Sequence, residues 1–273
     1  MSYKTILVQG GVDPQAGARV RAALAVGGLF GAAVIGAGAE AWAPYVQPDF
    51  AFVDPVAIQA TREALDDNLR AAEAAFLALG ADYSEPISWR SAVTYPATFM
   101  TELARGADLV VAGRPRHGDT DNTFAHPSGL IMRAGTPVLV LPEDFTDVRA
   151  ETVLVAWKDT HEARRALADS IPFLKQAKKV VLFHVHPDGK GSSPPRHHDV
   201  LERLRRHGVE AVPIFRAGAD LAAGDELADA ALDHHADIIV AGAYGHPRLS
   251  EWAFGGTTQT LLKDCRKPVL FSR

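Results

Sequence analysis

Three strand-like segments occur twice along this chain, in the same order, and this repeat limits the possible folds more than any other feature. The pairs are KTILVQGG (4–11) with ETVLVAWK (151–158), ADLVVAGRP (107–115) with ADIIVAGAY (236–244), and TPVLVLP (136–142) with KPVLFSR (267–273). The repeat predicts two tandem domains, at residues 1–142 and 151–273, joined by a linker at 143–150. The first pair is the most widely separated, so we expect an insertion in the first copy, mainly at residues 41–57.

Each copy alternates apolar strand segments with amphipathic helical segments, most clearly in the second. There, five strands are separated by four helices, and Thr160 stands where it would cap the first helix. Parallel neighbours in a sheet need crossover connections, which these helices supply. The sequence therefore predicts an α/β fold with two doubly wound, five-stranded parallel sheets. In this Rossmann-like architecture, ligands bind beyond the carboxyl ends of the strands.

Composition restricts the classes of function. The 28 Lys and Arg residues against 33 Asp and Glu residues give a formal net charge of -5, and no basic patch indicates nucleic-acid binding. Cys265 is the only cysteine, so no internal disulfide can form and a reducing compartment is expected. The first residues do not resemble a signal peptide, and glycines interrupt the longest apolar stretch, residues 22–43. We expect a soluble, cytoplasmic protein without a membrane segment.

A glycine-rich loop, GAYGHPRLSEWAFGGTTQTLL (242–262), follows the fourth strand of the second copy. Its candidate ligand-binding residues are Gly242, Gly245, Gly255, Gly256, Thr257 and Thr258. Glycines let the backbone approach a ligand where a Cβ would block it. Free N–H groups at the start of the next helix favour an anion. The loop therefore predicts a phosphate site. In the alternative interpretation, the glycines only form turns and Thr257 only caps its helix.

Set between its two strands, the G-x2-G-x9-G pattern of this loop resembles the nucleotide-binding signature of the universal stress proteins. The second copy resembles a whole domain of that family, and the first copy resembles a degenerate one. The resemblance implies an adenine nucleotide alpha hydrolase-like fold that holds ATP or a related adenine nucleotide. It also implies that domains pair through their last strands. We therefore expect the strands at 137–141 and 268–272 to pair within one chain, which covers two exposed edges.

The resemblance extends the predicted nucleotide site to Ala156, Lys158, Val185 and His246. Val185 matches the apolar residue that covers the adenine in the family. Lys158 stands where ATP-binding members usually carry an aspartate, and Gly256 replaces the Ser or Thr that usually follows the third glycine. A lysine cannot accept the hydrogen bonds that an aspartate accepts, although it can pair with a phosphate.

The first copy departs further from the family signature. Gly113 is kept, but Arg116 replaces the second glycine and no glycine stands at the third position. We therefore predict that the first copy has lost the site, and that residues 114–127 close or replace its pocket. Any bound nucleotide is expected to contact the second domain.

Two other signals for chemistry are weaker. The segment QGGVDP (9–14) resembles the S-G-G-x-D-S pyrophosphate loop of ATP pyrophosphatases, but both flanking serines are missing, so a strand-to-helix turn is the better interpretation. His184 and His186 would point to one face of a strand and could chelate a metal, yet no Cys or acidic ligand completes a familiar spacing. We expect no metal site, and no Ser-His-Asp order or carboxylate pair indicates catalysis.

The sequence thus predicts a regulatory or protective protein that binds an adenine nucleotide in its second domain. A nucleotide-free interaction module, which meets partners through the insertion at 41–57, is the alternative from another class. A slow ATP hydrolase is a third interpretation, disfavoured because no residue supplies a general base. Whether the whole chain forms a homodimer is left open, because no residue argues for it.

Overall fold

Continuous apolar runs form the central strands in both halves of the chain, because a parallel sheet covered by helices buries both of its faces. The computed structural model describes residues 2–42, 55–143, 145, 148–186, 197–217, 223–245 and 256–273. These residues divide into two compact units. The first unit is Tyr3–Thr136 with Glu143–Asp147, and the second is built mainly from Pro137–Pro142 and Val148–Arg273.

The first unit is a parallel sheet with helices between its strands. The strands are β1 (Thr5–Gln9), β2 (Ala33–Ala39), β3 (Ile87–Ala92) and β4 (Leu109–Gly113). The helices are α1 (Ala16–Phe30), α2 (Pro55–Leu79), α3 (Pro96–Ala104) and α4 (Pro127–Arg133). The strands lie in the order β3-β2-β1-β4, so β1 has β2 on one side and β4 on the other.

The second unit repeats this arrangement and adds two strands. Its strands are β5 (Val138–Leu141), β6 (Thr152–Ala156), β7 (Lys179–His186), β8 (Ala211–Ala217), β9 (Ile238–Gly242) and β10 (Val269–Ser272). Its helices are α5 (His161–Gln176), α6 (His198–Arg206), α7 (Ala223–Asp233) and α8 (Gly256–Lys263). The order is β8-β7-β6-β9-β10-β5, in which the first five strands are parallel. The predicted α/β class is confirmed, with five parallel strands in this unit.

The two last strands of the sequence repeat pair with each other, as the sequence predicts. β10 runs antiparallel to β5, with Val269 opposite Val140 and Phe271 opposite Val138. Both strands are fully buried, and all of their residues except Ser272 are apolar. An unpaired strand of this kind would offer its backbone N–H and C=O groups to other chains. The pairing removes two such edges within one chain.

The repeat extends to individual hydrogen bonds at the amino ends of the strands. In the first unit, the Asp108 carboxylate accepts hydrogen bonds from two backbone N–H groups at the start of β1, at 2.7 and 3.0 Å. In the second unit, Asp237 accepts from the two equivalent N–H groups at the start of β6, both at 2.9 Å. Each aspartate precedes the fourth strand of its copy. In both units, the same pair of hydrogen bonds to an aspartate therefore joins the first and fourth strands.

The long apolar stretch that glycines interrupt forms the end of α1, a turn and β2. Gly31 ends α1 in the left-handed conformation, with φ of 59°. Glycine adopts this conformation without the Cβ strain that other residues meet. Within the described residues, no helix is both long enough and apolar enough to cross a membrane.

Gln9, the last residue of β1, carries a buried amide that the fold leaves unsatisfied. The residue is 2% exposed, and neither Nε2 nor Oε1 has a hydrogen-bond partner among the described residues. Its backbone carbonyl is satisfied, because Arg19 Nε donates to it at 3.0 Å. The last residue of the equivalent strand β6 is Ala156, so this position does not require a polar side chain.

We expect Gln9→Met to raise the free energy of unfolding by about 1–3 kcal/mol, because it removes an unsatisfied buried amide while keeping the side-chain volume. Urea denaturation compares the variant with the wild type. Gln59→Met is the control, since Gln59 is exposed and bonds only to Glu63 on its own helix, at 2.7 Å. The control should change stability by less than about 0.5 kcal/mol. A Gln9→Met protein less stable than the wild type would show that the amide is satisfied in solution.

Candidate functional site

The candidate site lies in the second unit, where the carboxyl ends of three strands meet. β6 pairs with β7 on one side and with β9 on the other. The chain therefore leaves β6 and β9 in different directions, which opens the crevice where doubly wound sheets bind ligands. Ala156 at the end of β6, Val185 near the end of β7 and Gly242 at the end of β9 are all half-buried at this edge. These three predicted site residues are brought together by the strand order.

Lys158 follows β6 at the same edge, and its side chain is exposed. Its backbone carbonyl accepts a hydrogen bond from Thr160 N at 2.7 Å, which forms a tight turn into α5. The Thr160 hydroxyl in turn accepts from Ala163 N at 3.3 Å, so Thr160 caps α5 as predicted. This local geometry holds Lys158 between the end of β6 and the first turn of α5.

Gly242 is needed for packing against α5. A Cβ built on Gly242 would lie 2.5 Å from the backbone N of Ala163 and 2.6 Å from the backbone C of Glu162. Both atoms belong to the helix backbone, which cannot turn away as a side chain can. The missing side chain at this position is therefore explained by the approach of α5 to the end of β9.

Gly245 is covered by a carboxylate. A Cβ at this position would lie 2.6 Å from Oε2 of Glu162. The Glu162 side chain is only 14% exposed, and its other oxygen, Oε1, lies 3.1 Å from Nδ1 of His161. Glu162 cannot be predicted from the sequence, because nothing in the chain shows which residue will reach the glycine loop. The Glu162 carboxylate therefore lies beside the backbone that the sequence predicts to bind a phosphate.

Tyr244 connects the glycine loop to the next helix. Its backbone N–H donates to Oγ1 of Thr258 in a long hydrogen bond of 3.5 Å. Tyr244 has a positive φ of 58°, and burial raises the pKa of its phenol. Thr258 is buried, Thr257 is half-buried, and Gly256 is exposed at the first turn of α8. The contact places residues 243–245 beside the amino end of α8.

Two predicted site residues, His246 and Gly255, lie outside the described residues, as does most of the insertion at 41–57.

The equivalent edge of the first unit is filled by a buried ion pair. Arg19 is 2% exposed and its guanidinium forms a bidentate contact with Asp13, whose side chain is 7% exposed. The same guanidinium lies over the ring of Phe124, 5.4 Å from its centroid. A Cβ on Gly113 would meet Cδ of Arg19 at 2.8 Å. Arg19 from α1 thus occupies the space beside the glycine that matches Gly242.

Arg116, which takes the place of the second glycine, has contacts of its own in the first unit. Its backbone N donates to the carboxylate of Asp119 at 2.7 Å, and its Nε lies 3.4 Å from Glu143. Asp13 and Arg19 were missed as a pair because buried ion pairs form between elements whose packing the sequence does not show.

Two histidines of the second unit, His184 and His197, form an aromatic cluster with Phe215. The ring of His197 packs edge to face with His184 at 5.1 Å and with Phe215 at 4.7 Å, measured between centroids. In the part of the chain that the structure describes, no group of three or more His, Cys, Asp or Glu side chains could hold a metal ion.

Comparisons with known proteins identify the family of the second half. Residues 150–273 match the family model of the Universal stress protein family. A universal stress protein from Archaeoglobus fulgidus has a similar structure, with a TM-score of 0.71 at 14% identity, over 100% of this chain and 97% of that one. A putative universal stress protein from Pseudomonas aeruginosa has a TM-score of 0.57 at 16% identity, over 99% and 93% of the two chains. A universal stress protein solved in complex with cAMP has a TM-score of 0.35 at 23% identity, over 52% and 99%. No curated protein matches the chain in sequence.

Proposed function

We propose that this chain, which belongs to the universal stress protein family through residues 150–273, binds an adenine nucleotide at the carboxyl edge of its second sheet. The observation that carries the proposal is the contact between Tyr244 and Thr258, which brings the loop after β9 to the amino end of α8. The loop backbone and the first turn of the helix then lie at one crevice. Free N–H groups and the positive end of the helix dipole favour a phosphate there.

Two further side chains at this edge of the sheet support the proposal. Val185 supplies an apolar surface for a base, and Lys158 supplies a positive charge at the end of β6. The lysine is assigned to phosphate rather than to the nucleoside, because an ammonium group has no acceptor for the ribose or base. The residues proposed to hold the nucleotide are Ala156, Lys158, Val185, Gly242, Gly245, His246, Gly255, Gly256, Thr257 and Thr258.

We assign one site to each chain, in the second unit. The Arg19–Asp13 pair occupies the corresponding edge of the first unit, where its charges are already matched. Opening that edge for a nucleotide would separate a buried cation from its carboxylate, which is costly. Titration should therefore give one nucleotide per chain.

The nucleotide-free interaction module remains the second candidate, favoured by a specific observation. α5 occupies the space beside Gly242 and Gly245, so packing alone accounts for both glycines. Isothermal titration calorimetry with adenosine, cAMP and ATP separates the two functions. Mass spectrometry of small molecules released from the heat-denatured protein is an independent check. Absence of binding in all three titrations, with no released nucleotide, would favour the interaction module.

We expect Lys158→Ala to weaken ATP binding roughly tenfold to a hundredfold, because a charge-assisted contact contributes about 1.5–3 kcal/mol. Lys158→Asp distinguishes a contact with the phosphates from a contact with the nucleoside, since aspartate would improve binding only if this side chain contacts the nucleoside. The matched control is Lys178→Ala. Lys178 is an exposed lysine that pairs with Glu151 at 2.8 Å, at the opposite edge of the sheet. ATP binding that is unchanged by Lys158→Ala would contradict the phosphate role.

A further inference from the structure

Each unit ends its sheet on an outer strand that has a neighbour on one side. β3 is the outer strand of the first unit and pairs with β2, and β8 is the outer strand of the second unit and pairs with β7. The other side of such a strand carries backbone N–H and C=O groups to which a strand from another molecule can add. The residues on that side therefore decide whether the chain associates through its outer strands.

A proline stands in the middle of β8. Pro213 lies opposite Leu182 of β7, and it is the one proline within the strands that the structure describes. Proline has no backbone N–H, so it fits a paired strand only where its nitrogen faces away from the neighbouring strand. The nitrogen of Pro213 therefore faces outward, on the side where a further strand would have to add. A strand from another molecule would find no donor there.

Apart from its proline, β8 has the composition of a strand that associates with others. Val212 is 55% exposed and Phe215 is 47% exposed. The charged side chain of the strand, Arg216, bonds to α7, with Nη1 3.2 Å from Glu226 and Nη2 2.9 Å from Asp233. Apolar segments of high β propensity that lack proline are the ones that pair between molecules. The proline is therefore the feature of β8 that opposes such pairing.

An arginine covers the corresponding side of β3. The carbonyl of Pro86 accepts a hydrogen bond from Val34 N of β2 at 2.9 Å, so it faces the neighbouring strand. Carbonyl directions alternate along a regularly paired strand, so the carbonyl of Trp89, three residues later, faces away from β2. Arg90 is exposed, and its Nη1 donates to this carbonyl at 2.9 Å. A charged side chain thus occupies an acceptor that an added strand would need.

We propose that Pro213 and Arg90 close the two outer strands to strand addition, so that pairing at the exposed end of a sheet is reserved for β10 with β5. Val269–Ser272 of β10 contains neither a proline nor a charged side chain, and β5 covers it. The proposal does not depend on the nucleotide site. It also restricts the partners of the alternative interaction module, because a partner that binds by adding a strand to β3 or β8 does not fit this chain.

Sedimentation velocity of the full chain, over a series of concentrations, tests the proposal on Pro213→Val and Arg90→Thr. Each variant should begin to self-associate at a concentration roughly tenfold or more below that of the wild type, because an added strand gains several backbone hydrogen bonds. Pro213→Val should have the larger effect, since its strand exposes more apolar surface. Melting curves establish that both variants are folded.

Hydrogen exchange shows whether association uses the strand edge. In associated Pro213→Val, the outward-facing amide of Phe215 should become protected, whereas the amide of Ile214 faces β7 and is protected in every sample. The controls Pro55→Val and Arg62→Thr make the same replacements at exposed positions of α2 and should match the wild type. A variant that associates no more than the wild type overturns the proposal for its strand. Association that leaves Phe215 unprotected, or that the controls share, overturns it as well.

Discussion

Replacing Asp13 with alanine should lower the free energy of unfolding of the first unit by about 3–5 kcal/mol. The substitution leaves the Arg19 guanidinium 2% exposed and without its carboxylate. A buried charge that loses its partner cannot recover its hydration unless the structure opens. Arg19 also donates to the carbonyl of Gln9 and lies over Phe124, so its displacement would disturb the end of β1 as well.

Hydrogen exchange of the β1 and β4 amides measures this loss within the first unit alone. It is preferred to a single unfolding transition of the whole chain, which would combine the stabilities of the two units. Asp67→Ala is the matched control, because Asp67 pairs with Arg70 on the surface of α2 and both side chains are 70% exposed. Surface pairs contribute at most about 1 kcal/mol. A loss at Asp13 no larger than the loss at Asp67 would overturn the account of the buried pair.

The second large effect is expected from Gly242→Ala, which should destabilise the second unit by about 1–3 kcal/mol or more. The added Cβ would lie 2.5 Å from a backbone nitrogen of α5, so either the helix or β9 has to shift. The reason is packing, so the loss should appear without any ligand present.

Gly28→Ala provides a control in which the free energy of unfolding should rise rather than fall. Gly28 lies inside α1, and a Cβ at this position meets no atom within 4 Å. Alanine is the better helix former, so this variant should gain about 0.5–1 kcal/mol. Urea denaturation of both variants provides the comparison. A stable Gly242→Ala protein with weakened nucleotide binding would instead show that the glycine serves the ligand.

The sequence predicts most of the fold because its signals are local or repeated. Thr160 caps α5 through a bond to a residue three positions on, which the helical pattern is enough to indicate. The duplicated strand segments give the parallel sheet, and the family resemblance gives the pairing of β5 with β10.

The site is predicted less completely, because its decisive contacts join distant parts of the chain. The sequence shows that Gly242 and Gly245 lack side chains, but not that α5 and the Glu162 carboxylate occupy the space beside them. In the first unit, the sequence shows that Arg116 replaces the lost glycine, but not that Arg19 on α1 lies against Gly113. Both cases depend on how a helix packs over a strand end, which spacing along the chain does not encode.

The pairing of β5 with β10 determines how this chain can be cut into pieces for separate expression. The strand that the sequence repeat places at the end of the first copy packs in the second unit. A fragment that starts after the linker would lack β5 and leave the apolar edge of β10 bare, ready to capture a strand from another molecule. A fragment that starts at Pro137 includes β5, so β10 keeps its native neighbours on both sides.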